Sequence, residues 1–299
     1  MDLLNPKVGT HLNFSEEETL SDVILELGDM IPDYKIPNFQ VYLGKKNSCE
    51  IRKLSKEDID ICVRIIGNRG FFIHSSLIAY LSNWQNFRRF CKRRIITELR
   101  HVKKFPLSGV VIHPGSRNSR GVKLELTETL DNIIHSVIDI YHMGNEDLGY
   151  LYLENSAGEG SKVFKNIEEM KYVIKKLENF KDANGEHIIR NVRICIDTCH
   201  LFAAGDYDIS KPREIRRFKE DFSREIGLKY IKLIHLNDSK YEFGSKKDVH
   251  EIIGRGYIWK SPRILKVFFE EFKDIPYVCE TKNFTECVPM IEDAKELMN

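Results

Sequence analysis

This 299-residue chain lacks most of the features that would place a protein in a membrane, behind disulfides or in a strong field of one sign. No apolar run approaches the ~18 residues that a membrane-spanning helix needs. Met1-Asp2-Leu3-Leu4-Asn5-Pro6 has neither the basic start nor the apolar stretch of a signal peptide. These absences predict a soluble, intracellular protein, cytoplasmic or nuclear, with no membrane partner. The seven cysteines are odd in number, sit mostly inside apolar runs and form no Cys-x-x-Cys pair, so they read as reduced thiols. The formal net charge is only +1, which leaves any nucleic-acid partner to be held by local patches. Neither Gly158-Glu159-Gly160 nor Gly254-Arg255-Gly256 completes a Gly-x-Gly-x-x-Gly fingerprint, so no dinucleotide is implied.

What the chain does have is alternation. Short apolar runs near 8–14, 38–43, 71–75, 108–113, 149–154, 192–197, 230–236 and 276–280 take turns with helical patterns. The helices fall near 16–29, 55–67, 84–104, 123–143, 164–181, 212–227, 262–273 and 286–298, some opened by caps such as Ser15 and Ser55. Eight such units predict an α/β fold, a (β/α)8 TIM barrel spanning residues 1–299 as a single domain, with its site at the C-terminal ends of the strands. Period two agrees: Val192, Ile194 and Ile196 share the face for helices, while Arg193, Cys195 and Asp197 share the inner face. The longest irregular stretches, 114–122 and 237–260, directly follow strands that end in histidine.

Strand ends carry the chemistry. In Ile194-Cys195-Ile196-Asp197-Thr198-Cys199-His200 an apolar run delivers a carboxylate and then an imidazole three residues on. Other runs end in His74, His113, Glu154, His235 with Asp238, and Glu280, and a loop supplies Asp248 and His250. Singly, each has an ordinary explanation: a satisfied core histidine, a Pro-Gly turn after His113, a salt-bridge partner. Jointly, five histidines and four carboxylates at one barrel mouth without a charge partner would be costly to desolvate. His74, His113, Glu154, Asp197, His200, His235, Asp248, His250 and Glu280 therefore stand as metal ligands. Nitrogen and oxygen donors without sulfur suit zinc, with manganese or iron next. Nine donors, one of them bridging, would serve two or three ions. Among weaker signals, the basic run Arg88–Arg94 is expected to be mostly a solvated face opposite the stripe Cys91, Ile95, Leu99. Ser116, Arg117, Ser119 and Arg120 lie on the correct rim to hold phosphate oxygens.

The segments Val111-Ile112-His113-Pro114-Gly115-Ser116, Leu153-Glu154-Asn155-Ser156-Ala157-Gly158-Glu159-Gly160, Asp197-Thr198-Cys199-His200-Leu201-Phe202-Ala203-Ala204-Gly205, His235-Leu236-Asn237-Asp238, Asp248-Val249-His250 and Glu280-Thr281 occur in one order. Together they make the chain resemble the endonuclease IV family of apurinic/apyrimidinic endonucleases. The resemblance implies a trinuclear zinc site, with manganese as an alternative at some positions. His74 and His113 would hold one ion with the bridging Glu154, Asp197, His235 and Glu280 the second, and His200, Asp248 and His250 the third. It implies hydrolysis of the phosphodiester 5′ to an abasic site in double-stranded DNA during base excision repair. The products would be a 3′-hydroxyl and a 5′-deoxyribose phosphate. A hydroxide held at Glu154 between two ions would be the nucleophile, and the protein would act as a monomer. DNA-contact candidates are Lys45, Lys46, Asn47, Leu77, Ile78, Ser116, Arg117 and Arg255. The sequence departs from the family at its DNA-gripping loops. His74 is followed by Ser75-Ser76-Leu77-Ile78 with no aromatic wedge, and Val249 stands where arginine is common. The rival reading is a metal-dependent sugar isomerase or epimerase of the same barrel class, which leaves Asp248 and His250 without a role.

Overall fold

The computed structural model describes residues 6–298 apart from 14–17, 31–35, 45, 49, 52–53, 83–84, 106, 120, 145–147 and 282. Eight parallel strands form the expected barrel: β1 (Val8–Leu12), β2 (Asn38–Tyr42), β3 (Gly70–His74), β4 (Leu107–Ile112), β5 (Tyr150–Glu154), β6 (Val192–Asp197), β7 (Ile231–His235) and β8 (Tyr277–Cys279). They close in the order β1-β8-β7-β6-β5-β4-β3-β2. Helices α1 (Leu20–Met30), α2 (Lys56–Ile66), α3 (Gln85–Val102), α4 (Leu126–Gly144), α5 (Ile167–Leu177), α6 (Pro212–Glu225), α7 (Pro262–Glu271) and α8 (Phe284–Glu296) alternate with them. No described helix is long and apolar enough to cross a membrane.

Strand alternation divides the core in two. Phe39, Val41, Phe71, Ile73, Val110, Ile112, Leu151, Leu153, Ile194 and Ile196 turn outward into the large core under the helices. Phe72, Val111, Tyr152, Cys195, Leu233 and Val278 turn inward and form a separate apolar layer inside the barrel. Between β6 and β7 the register slips, so that Ile194 faces Ile231 but Cys195 faces Leu233. That bulge brings Asp197 opposite His235 at the mouth.

Local chemistry fixes the helices. Ser55 caps α2 by accepting from the Asp58 amide at 2.9 Å. The Asp58 carboxylate then crosses to α1, accepting from the Leu20 and Ser21 amides and the Ser21 hydroxyl. Ser15, the other expected cap, lies outside the described residues. The basic run on α3 departs from expectation. Arg89 and Arg93 are exposed, but Lys92 and Arg94 are buried. Lys92 pairs with Asp139 of α4. Arg94 pairs with buried Glu98 at 2.9 Å and donates to the carbonyls of Ser48 and Glu50 in the loop after β2. The helix is flanked on both sides, by α4 and by that loop, so its buried surface is wider than the apolar stripe alone suggests.

Two loops contain hairpins that the sequence pattern left irregular. Asn118–Ser119 pairs with Val122–Lys123, and Asp238–Ser239 pairs with His250–Glu251. The second hairpin carries His250 back to the barrel mouth.

Candidate metal centre

One step of strand periodicity builds the site. His74, His113, Glu154, Asp197, His235 and Glu280 each stand two residues beyond a member of the inner apolar layer. Side chains repeat their direction every second residue, so each polar group projects over that floor. His200 comes from the helical turn Thr198–Ala204, which Asp197 caps by accepting from the His200 amide at 2.8 Å. Its Nδ1 bonds the Asn155 carbonyl at 2.8 Å, which turns Nε2 toward Asp248. In the same way the Ser75 carbonyl takes His74 Nδ1 at 2.8 Å and leaves Nε2 facing Glu154.

The structure brings all nine sequence-derived candidates together. Glu154 Oε2 lies 3.1 Å from His74 Nε2 and 3.3 Å from His113 Nε2, while its Oε1 lies 2.8 Å from His235 Nδ1. Asp248 Oδ1 lies 2.9 Å from His200 Nε2 and 3.3 Å from His250 Nε2. Donor atoms lie within 4.8 Å of one another in the groups His74/His113/Glu154, Glu154/Asp197/His235/Glu280 and His200/Asp248/His250. Glu154 belongs to two of these groups. His113 Nδ1 is buried without a hydrogen-bond partner among the described residues, and His200 Nε2 meets Asp248 without the alignment of a hydrogen bond. Borderline nitrogen and hard oxygen donors, buried and facing one another, fit divalent cations such as zinc.

Electrostatics says the same. Burial works against every charged form here, yet His113 and His235 hold the Glu154 carboxyl well below its ordinary range. Asp248, likewise desolvated, is lowered by His200 and His250. Burial pushes the His113 imidazole down to about 4, so it presents a neutral ring. Burial also opposes the cationic form of His200, but Asp197 and Asp248 outweigh it and raise its pKa well above the usual value. Asp197 itself is pushed up by burial despite His200 and His250. Such a mouth is held by titratable groups leaning on one another.

Four residues of the site escaped the sequence reading. Asn155 braces Asp197 by accepting from its amide at 2.6 Å, and Asn237 donates to Asp197 Oδ2 at 2.5 Å and Glu280 Oε2 at 3.1 Å. His11 and Gln40 occupy on β1 and β2 the inward positions that complete the ring of strand ends. Period two puts both on the inner face, each two residues past Gly9 or Asn38, but it does not mark Gln40 as part of a site. Burial pushes the His11 imidazole down to about 3, so it too is neutral.

The rim residues divide. Lys46 and Asn47 are exposed, and Lys46 Nζ sits 4.9 Å over the Tyr42 ring. Leu77 and Ile78 are half-buried beside them, with the Lys46 carbonyl accepting from Ser76 Oγ and the Leu77 amide. Lys45 lies outside the described residues. Ser116 is instead buried against Ser161 at 2.8 Å, Arg117 Nε binds the Leu124 carbonyl, and Arg255 is exposed and paired with Glu286 at 2.7 Å.

Residues 37–299 match the family described as the xylose isomerase-like TIM barrel, and the chain belongs to that family. Over 236 residues it is 30% identical to "Probable endonuclease 4" of Mycoplasma mycoides subsp. mycoides, an alignment covering 78% of this chain and 75% of that protein. The crystal structure of endonuclease IV from Thermus thermophilus superposes with a TM-score of 0.77 at 22% identity, covering 98% of this chain and 99% of that one. D-psicose 3-epimerase from Clostridium cellulolyticum shares the fold less closely, with a TM-score of 0.60 at 12% identity over 98% of this chain and 96% of that one. Within the barrel family, then, the chain is a member of the endonuclease IV family.

Proposed function

We propose that the nine residues hold three zinc ions and that the chain, as a monomer, cleaves double-stranded DNA on the 5′ side of abasic sites in base excision repair. The observation that carries this reading is the grouping of donors into three sets, two of which share Glu154. Bound divalent ions would supply an acidified water and neutralise charge on the attacking and departing oxygens of the phosphodiester. The residues of the chain supply the rest. Glu154 spans two donor sets and fixes their spacing, and Asp197, capping the turn that carries His200, ties the second set to the third. The apolar floor of Phe72, Val111, Tyr152, Cys195, Leu233 and Val278 closes the site from below and excludes water. Lys46, Leu77 and Ile78, neighbours on the rim, would meet the duplex, and the aliphatic side chains would fill the space left by a missing base.

The epimerase reading requires only the quartet Glu154/Asp197/His235/Glu280 and leaves His200/Asp248/His250 idle. Two measurements decide between them. Metal analysis of the purified protein is expected to find three ions per chain, and one ion would favour the epimerase. A duplex with a single abasic analogue is expected to be nicked to a 3′-hydroxyl, with chelation stopping the reaction and metal add-back restoring it. An uncut duplex with fully loaded protein would overturn the proposal.

A further inference from the structure

The ring of inward strand ends has eight members, and two of them are not in the donor sets. Gln40 on β2 reaches across to β7 and β8. Its Oε1 lies 2.9 Å from His235 Nε2, and its Nε2 lies 2.7 Å from Glu280 Oε1 and 3.1 Å from His11 Nδ1. A carboxylate only accepts, so the Glu280 contact forces the amide nitrogen of Gln40 to that side. The amide oxygen is thereby turned to His235, and it can only accept. His235 must then carry a proton on Nε2, which leaves Nδ1 as the atom that faces Glu154 at 2.8 Å and Glu280 at 3.3 Å. The second amide hydrogen of Gln40 needs an acceptor, and His11 provides Nδ1 in its neutral form. Gln40 is fully buried and His11 nearly so, so neither is free to swing away.

We propose that Gln40, held in place by His11 and Glu280, is a positioning residue that assigns His235 its Nε2-protonated tautomer and so presents Nδ1 as the donor to the second cation. The inference rests on the metal reading given above, and it deepens that reading by naming what orients one of its ligands. Residues that bond the far nitrogen of a ligating histidine typically contribute 10- to 100-fold in metal affinity. Gln40→Met keeps the length of the side chain and removes both halves of the amide. It is expected to weaken one of the three cations by about 10- to 100-fold in chelator competition and leave the other two unchanged. His11→Phe, which leaves the Gln40 acceptor in place but removes its support, is expected to weaken the same cation by less.

The direct test is the tautomer itself, read on the wild-type zinc-loaded protein from nitrogen-15 couplings of the imidazole rings, so that a misfolded variant cannot obscure the answer. His235 is expected to show a protonated Nε2. A protonated Nδ1 would overturn the inference. So would equal affinity for all three cations in folded Gln40→Met and wild type. If the wild-type chain binds no divalent cation at all, the metal reading falls and this one falls with it, whereas cation binding indifferent to Gln40 removes only this inference.

Discussion

Two buried carboxylates of this barrel, Asp238 and Glu154, are surrounded in opposite ways. Asp238 accepts from the backbone amides of Ser239, Gly254, Gly256 and Ile258 at 2.8–3.1 Å. Gly256 has no room for a side chain there, since a Cβ would meet Asp238 Oδ1 at 2.4 Å. The carboxylate is the staple that folds the loop 237–260, and the Gly254-Arg255-Gly256 sequence lets the chain approach it. Glu154 is equally buried, but it faces His74, His113 and His235 and accepts no backbone amide among the described residues. A charge closed off by amides is finished as structure. A charge that meets only titratable rings is a place where cations complete the coordination.

The sharpest way to break that contrast is to neutralise each carboxylate in turn. Glu154→Gln is expected to abolish abasic-site cleavage and to reduce bound zinc, because two donor sets share this residue. Normal metal content in Glu154→Gln would contradict its assignment.

Arg94 and Glu98 test the same rule on an ion pair closed within the protein. Arg94 spends its guanidinium on Glu98 and on carbonyls of the loop after β2, and both members of the pair are buried. Removing one partner leaves an uncompensated buried charge, so Arg94→Met should cost about 3–5 kcal/mol of stability. Denaturant unfolding would measure it, and metal content should hold in the folded fraction. A loss under ~1 kcal/mol would mean that the pair is not closed as described.

Asp238→Ala is expected to lower stability by about 1–3 kcal/mol, because amides are left buried without acceptors. The donor atoms of the three sets are untouched, so zinc stoichiometry should stay at the wild-type value. Loss of a full ion on this substitution would make Asp238 a ligand and erase the distinction.

The degree to which the sequence revealed this architecture follows from what repeats. Eight apolar runs and eight helical patterns are local signals, and all eight strands fell within a few residues of where the pattern put them. Six of the nine candidate donors were legible because each stands at a strand end, where a histidine or acid has few bland roles in concert, while His200, Asp248 and His250 come from the turn and hairpin beside them. Gln40 was not, since a glutamine inside Phe39-Gln40-Val41 carries no chemistry until the closing of the barrel brings it beside His235. Lys92 and Arg94 were misplaced for a related reason. Their burial depends on a helix and a loop distant in sequence, which no periodicity within α3 encodes.

The remaining contrast is a reversal of sign with pH, at about 1.4 kcal/mol for each unit by which a group's pKa shifts on folding. In the metal-free protein His200 and His235 have raised pKa values, with burial opposed and outweighed by charged neighbours. Their stabilisation is complete below the unfolded value near 6.5 and is lost as pH rises through the folded values. Glu154 and Asp248 are lowered, so their contribution is present above the unfolded values, 4.5 and 3.8, and is lost as pH falls through the folded ones. His11 and His113 have lowered values, about 3 and about 4, so their neutral burial costs stability as pH falls below the unfolded value of 6.5. The metal-free protein should therefore be steadiest near pH 6.5, and its melting temperature should decline above it. Cations compete with protons for the same nitrogen and oxygen atoms, so binding tightens as pH rises, and the zinc-loaded protein should gain stability over the range in which the metal-free form loses it. Asp238 offers the internal control. Its four bonds are to backbone amides, and burial raises its carboxyl above the ordinary range, so above that titration Asp238→Ala should shift both melting curves downward and leave their opposite slopes intact. Parallel curves in the wild-type protein, with and without zinc, would mean that the imidazoles and carboxylates at the mouth do not exchange protons for metal.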